Sequence, residues 1–451
     1  MTTFSSLAAQ ATRPALALLG LGFGLAGCQA NIDGPSANPG SLDFSSYVAV
    51  GNSLTAGYSD GGLYNEAQAT SYPAILAQQF AATGKGQASF VQPAFSAAKK
   101  DGSGYIKLQI VNGALAPVQP AASNSFLGEM LAVTGTTLPG GNQLEAYSGP
   151  QPDNLGVPGI SVLSSLSSLT GGLAPYGAIN PFYERLLTAA EKPSKDYVTY
   201  IGQKTPTFFT CWMGNNDVLA YASAGGVVAP TNPFGGLTDT TRFGIGYRAI
   251  LSTISKNGTV KGAVANIPNV TTIPYFTTVT VTAVAAAFKA ANAASPGVFI
   301  QTSSTTAPVR LATTADLLTL TSQAVVATGA GSTPTNPLPN QYVLDATEIA
   351  AVTARTTQLN AIIAKTAQRF KVPVADMNTF FTSIGTTGVI TNGVNNTATF
   401  ASGNLFSLDG VHPTPRGYAL VANEWIRVIN SYYGSGIQSV SPTNYRAVLF
   451  P

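Results

Sequence analysis

One histidine, His412, occurs in the 451 residues of the chain. That count rules out a metal centre built on imidazoles, and no clustered calcium-loop pattern offers an oxygen cage instead, so neither a metal nor a cofactor is expected. Imidazole general-base chemistry at neutral pH must therefore run through His412. In "LDGVHPTPRGYAL" Asp409 stands three residues before it, in a Gly- and Pro-containing loop just ahead of a helix start. An aspartate so placed can accept from one ring nitrogen and fix the tautomer, leaving the other nitrogen to face a serine or a substrate. The matching serine is Ser53 in "YVAVGNSLTAGYSD", where an apolar run from Tyr47 to Val50 ends at Gly51. A serine hydroxyl is too weak an acid to attack unaided, so a nucleophilic Ser53 requires His412 and Asp409 to reach it from the far end of the chain. Cys211, in "TPTFFTCWMG", has no basic neighbour in sequence and reads as a buried small hydrophobe rather than a nucleophile.

The elements that must position these groups follow from periodicity. Four unalternated apolar runs, 47–50, 207–213, 260–267 and 372–377, have strand length and suit a sheet covered on both faces. Helical patterns lie between them, over 71–80 and over 242–258, the latter ending in Asn-Gly as a C-cap signal. Over 345–370, Asp345 and Glu348 form a capping-box pattern and Ile349, Val352, Leu359, Ile363 and Phe370 lie on one stripe with Ile362. A last helix begins at Pro415 behind Thr414 as N-cap, with Tyr418, Val421, Trp425 and Val428 on one face. Strands alternating with helices predict an α/β fold, a sandwich around a mainly parallel sheet. Residues 84–150 and about 277–340 break the rhythm, being rich in Gly, Ala, Ser, Thr and Pro, and read as two large insertions that decorate the sheet and cover one end of it.

"GNSL" after one strand, "GNND" after another and "DGVH" near the C-terminus occur in the order and settings of the GDSL, or SGNH, hydrolases, which the chain resembles over most of 44–434. "NLGVPG" resembles a fourth block of that family, in which a glycine N–H points into the oxyanion hole. The resemblance implies the family's three-layer α/β/α sandwich and a Ser53–His412–Asp409 triad. The implied oxyanion donors are the N–H groups of Ser53 and Gly159, with Gly156 as the second choice, and the side chain of Asn216. One residue departs from the pattern: the aspartate usual beside the nucleophile is Asn52 here, which removes a charge and leaves the serine. The implied activity is hydrolysis of carboxylic esters, either acetylated glycans or short-chain acyl esters, without cofactor. Two other readings use the same fold: an acyltransferase, and an inactive glycan-binding surface protein.

The ends and the composition speak to location and partners. After Arg13, the apolar stretch "PALALLGLGFGLAG" is too short to span a bilayer and reads as a secretory signal, residues 1–27. The ending "LAGC" resembles the lipobox of bacterial lipoproteins, which implies lipidation of Cys28 and an exported protein held to the cell envelope, at the outer membrane if the host is Gram-negative. Residues 28–43 read as a flexible tether, so the folded domain spans 44–451. Only 9% of residues are charged, against about 25% in an ordinary soluble domain, and the net charge of +3 is scattered without a basic stripe. Nucleic-acid binding is therefore not expected. The expected partners are a small-molecule or glycan ester and, through the lipid, a membrane; no pattern speaks to an oligomeric state.

Overall fold

The computed structural model describes residues 36–451 apart from 112, 119–124, 127–128, 131–132, 138–140, 169–179, 193 and 230–232. The signal segment 1–27 and Cys28 lie outside the described residues, and residues 37–451 form one unit. Its centre is a five-stranded sheet of β1 (Tyr47–Gly51), β2 (Asn154–Gly156), β3 (Phe208–Trp212), β4 (Lys261–Ala265) and β5 (Val374–Ala375). The spatial order is β5-β4-β3-β1-β2, and every pairing is parallel, with Tyr47 opposite Phe208 and Ala49 opposite Asn154.

Successive side chains of each strand enter different cores, which is why the strands carry no polar alternation. Val48, Val50, Phe209, Cys211 and Val264 face one cluster; Tyr47, Ala49, Phe208, Trp212 and Ala263 face the other. The first cluster is closed by α2 (Asn216–Ser223), α3 (Thr240–Ile254) and α4 (Ala346–Phe370). The second is closed by α1 (Tyr72–Ala82) and α5 (Pro415–Tyr433), where Tyr72 stacks on Trp425 with ring centres 5.5 Å apart. This is the expected three-layer α/β/α arrangement. The capping box of Asp345 and Glu348 forms as the sequence predicts, as does the Thr414 cap on Gly417 N–H at 3.1 Å.

Three details differ from the sequence reading. The sheet has a fifth strand, β2, whose three residues are too few to show a period. Helix α3 stops at Ile254 rather than at Asn257–Gly258, because Lys256, Asn257 and Gly258 all turn to positive φ (49°, 59° and 88°) and cannot continue a right-handed helix. The second insertion has a core of its own: helix Val281–Ala291 packs Val281 and Val284 against Val298, Ile300, Leu318 and Leu338. Arg310 grips the buried Asp316 there with two hydrogen bonds of 2.7 and 2.8 Å. The first insertion includes a hairpin, Lys107–Val111 against Ala114–Val118. No helix among the described residues is long and apolar enough to cross a membrane.

Candidate active site

In an open parallel sheet of this order, the connections from β1 and β3 leave on opposite sides, and a crevice opens at the carboxyl ends of those two strands. Ser53 lies two residues past β1, Asn216 four past β3, and Gly159 three past β2. The three groups thus come from neighbouring strand ends.

The nucleophile turn is built by short-range chemistry. Asn52 caps a helical turn, Ser53–Ala56, its side-chain oxygen accepting Leu54 N–H at 3.0 Å. Gly57, in the left-handed conformation at φ 84°, ends the turn by donating its N–H to Ser53 O. Asn154 braces the turn from β2, its amide donating to Thr55 O at 2.8 Å. The cap needs only the side-chain oxygen of Asn52, while its Nδ2 is buried without a partner among the described residues.

Ser53 Oγ lies 2.8 Å from His412 Nε2, and His412 Nδ1 lies 2.8 Å from Asp409 Oδ2. With Nδ1–H donating to the carboxylate, Nε2 is left to accept from the serine hydroxyl. Asp409 takes four further hydrogen bonds: Oδ1 accepts from Val411 N–H, His412 N–H and Ser407 Oγ, and Oδ2 accepts from Gly61 N–H at 2.9 Å. Burial alone would raise its pKa, but the charge and hydrogen bonds of His412, with the N–H of Val411, outweigh burial and hold it at about 2. It is an anion at any working pH. The turn that supplies Gly61 also places Asp60, at φ 52°, so that its N–H reaches Ser407 Oγ at 2.8 Å and its carboxylate takes Leu408 N–H at 2.9 Å. The segment after the nucleophile and the loop bearing the histidine are thereby tied together.

Three donors belong to residues that line one cavity with the histidine. The N–H groups of Ser53 and Gly159 have no partner among the described residues, and Asn216 Nδ2 uses one hydrogen on Ile160 O at 2.8 Å, leaving the other. Gly156 is not one of them: its N–H goes to Asn154 Oδ1 at 3.0 Å, and a Cβ there would lie 2.3 Å from Ala56 N, so close packing accounts for that glycine. Next to Asn216, the buried Asp217 accepts Val162 N–H at 2.8 Å and Leu163 N–H at 3.3 Å. Burial pushes its carboxyl up to about 6 against those two donors.

A model of the GDSL-like lipase/acylhydrolase family matches residues 47–425. The chain belongs to this family. It is an ester-hydrolysing enzyme, and the matched span runs from β1 into α5. Among solved structures, this GDSL-like acylhydrolase is similar to the lipase/acylhydrolase from Enterococcus faecalis at 12% identity, over 87% of this chain and 98% of that one, with a TM-score of 0.31. It is similar also to the extracellular lipase from Streptomyces rimosus at 12% identity, over 87% and 100%, with a TM-score of 0.32. No curated protein matches it.

The acylhydrolase presents Ser53, His412, Gly159 and Asn216 to one open cavity of about 390 Å³. Neither insertion lines it among the described residues. Its lining includes residues that motif reasoning missed: Tyr58, Asn180, Phe182, Leu219, Ala220 and Phe234. Tyr58 packs its ring 4.7 Å from that of His412, and Phe182 meets Tyr58 edge-on. Leu219 and Ala220 had a signal in the sequence, since they stand three and four residues past Asn216 on a helix and must share its face. Phe182 and Phe234 had none. Among the described residues no Asp, Glu, Lys or Arg lines the cavity, and no three His, Cys, Asp or Glu stand close enough together to hold a metal.

Proposed function

We propose that the enzyme hydrolyses carboxylic esters through an acyl-enzyme on Ser53. Ser53 Oγ bonds to the ester carbonyl carbon while His412 Nε2 takes the hydroxyl proton, and Asp409 stabilises the imidazolium that forms. The oxyanion of the tetrahedral intermediate accepts from Ser53 N–H, Gly159 N–H and Asn216 Nδ2. Collapse breaks the bond to the alcohol, which leaves with the proton from His412. Water then repeats the sequence on the acyl-enzyme and frees the acid. The observation that carries this reading is the pair of 2.8 Å contacts from Ser53 through His412 to Asp409, beside a cavity that the residues of two backbone N–H groups without a partner among the described residues also line.

The cavity supports an uncharged acyl group. A carboxylate or ammonium drawn into it would lose water and meet no counter-charge, at a cost of several kcal/mol. Its volume lies at the low end of the roughly 300–1,000 Å³ usual for ligand sites, which suits a short acyl chain or acetyl group with part of its alcohol, a glycan hydroxyl included. The test is Ser53→Ala assayed on chromogenic acetyl and butyryl esters alongside fluorophosphonate labelling. Loss of both turnover and labelling is expected, and wild-type turnover in the variant would overturn the proposal.

On the sequence "LAGC" we also propose lipidation at Cys28 and export to the cell envelope. Cys28→Ala should release the protein from the membrane fraction of its host; an unchanged membrane fraction would remove the idea.

A further inference from the structure

A backbone N–H serves an oxyanion only if its peptide plane is turned the right way, and the peptide between Pro158 and Gly159 sits where such planes turn most easily. Residues 157–160 form a β-turn closed by Ile160 N–H to Val157 O at 3.2 Å, with Pro158 at the second position and Gly159 at the third with φ 78°. These are the values and residue preferences of a type II turn. Type I and type II turns share their ends and differ by a flip of the central peptide, and glycine at the third position permits both. In a planar trans peptide the C=O and N–H point in opposite directions. Flipping this one would turn Gly159 N–H away from the cavity and Pro158 C=O towards it.

Resting on the esterase reading above, we infer that Asn180 is a positioning residue that locks this peptide in its type II orientation. Its Nδ2 donates to Pro158 O at 2.7 Å, so the carbonyl is held and the N–H of the same peptide, unpartnered among the described residues, points the other way, in a turn whose Gly159 lines the cavity with Ser53 and Asn216. The Asn180 side chain is itself fixed. It is 7% exposed, and its Oδ1 accepts Phe182 N–H at 3.0 Å and Tyr183 N–H at 3.1 Å, capping the short helix Pro181–Glu184. Asn216 secures the other end of the turn through Ile160 O, but that bond does not define the Pro158–Gly159 plane. The two halves of the Asn180 amide therefore have separable roles, Oδ1 for the local helix and Nδ2 for the oxyanion donor.

That separation gives the test. N180D keeps the size and the capping oxygen but presents an acceptor to Pro158 O, whereas N180A loses both functions. With the flip released, kcat on a chromogenic acetyl ester should fall about 10- to 100-fold in both variants, the upper end approaching the loss of one oxyanion donor. KM should change less than threefold, and the Ki of an alkylboronic acid, whose tetrahedral adduct uses the same donors, should rise in step with the fall in kcat. N180A should melt lower than wild type and N180D close to it. The ratio of N180D to wild-type activity should rise as the pH drops, because the variant's protonated carboxyl can again donate to Pro158 O while loss of the His412 base affects both enzymes alike. A folded N180D with kcat within threefold of wild type, or a loss confined to KM, would overturn the inference. An inactive wild type, or an active Ser53→Ala, would instead overturn the esterase reading on which it rests.

Discussion

On the proposed mechanism, Asn216→Ala removes one of three oxyanion donors, and its cost follows from what the side chain does in the structure. Of the two Nδ2 hydrogens, one holds Ile160 O at 2.8 Å and the other is available to the cavity. Loss of a single donor of this kind costs about 10²- to 10³-fold in kcat, or roughly 2.7–4 kcal/mol of transition-state stabilisation. The substitution also frees Ile160 O and so loosens the turn that carries Gly159, which places the expected loss at the upper end. The donors face the charge that develops during attack more than the ground-state carbonyl, so KM should move by less than about threefold. Steady-state kinetics on a chromogenic acetyl ester, with Tm recorded for each variant, would read these quantities. A folded Asn216→Ala enzyme with kcat within about fivefold of wild type would refute the reasoning, because no donor in this geometry is worth so little.

Three further outcomes follow from burial and close contact. Asp409 and Asp217 should act on stability with opposite signs. Asp409, held at about 2 against an unfolded value of about 3.9, contributes stability that is present above the unfolded pKa and is lost as pH falls towards 2. Asp217, raised to about 6, contributes stability that is full below about 4 and is lost as pH rises through 6; in an Asp217→Asn variant the fall of Tm over that window should vanish, and its persistence would reassign the titration. Gly51→Ala would put a Cβ 1.9 Å from Thr55 Oγ1 and 2.8 Å from Trp212 O, so a loss of about 1–3 kcal/mol by denaturant unfolding and a damaged nucleophile turn are expected. Cys211 is fully buried, which raises its thiol pKa well above the usual range, so a maleimide should label it only after denaturation; labelling at native rates would contradict its place in β3.

The parts of this protein legible in the sequence are those fixed by period or by scarcity. The long helices α4 and α5 announced themselves through a capping box, an N-cap and apolar stripes of the right spacing. His412 was legible because no other histidine competes with it, and Asp409 because the hydrogen bond between them closes within one loop. Strand β2 was not legible, since three residues between turns show no period and its pairing with β1 is a long-range event. Register put Gly159 ahead of Gly156 as the oxyanion glycine but left Gly156 as a second choice. Both glycines are required, one because Ala56 N stands where its Cβ would be and the other because its φ is 78°, and only the tertiary contacts tell them apart.

The same distinction explains why the groups proposed for catalysis were easier to find than the groups that aim them. Ser53, His412 and Asp409 must carry particular chemistry, which restricts residue type and leaves a mark in the sequence. Asn180 and Asp60 act by holding a backbone carbonyl or a backbone N–H. Those partners carry no side-chain identity, so neither residue has a motif to betray it. Asp60→Ala should make the point experimentally. Asp60 lies outside the cavity lining, yet its carboxylate holds Leu408 N–H, one residue before Asp409. The variant should lower kcat with KM unchanged, and Asp60→Asn, which tolerates the same positive φ and can still accept from Leu408 N–H, should restore most of the loss. Equal activity in all three proteins would show that the histidine loop holds its geometry without the turn at residues 59–62.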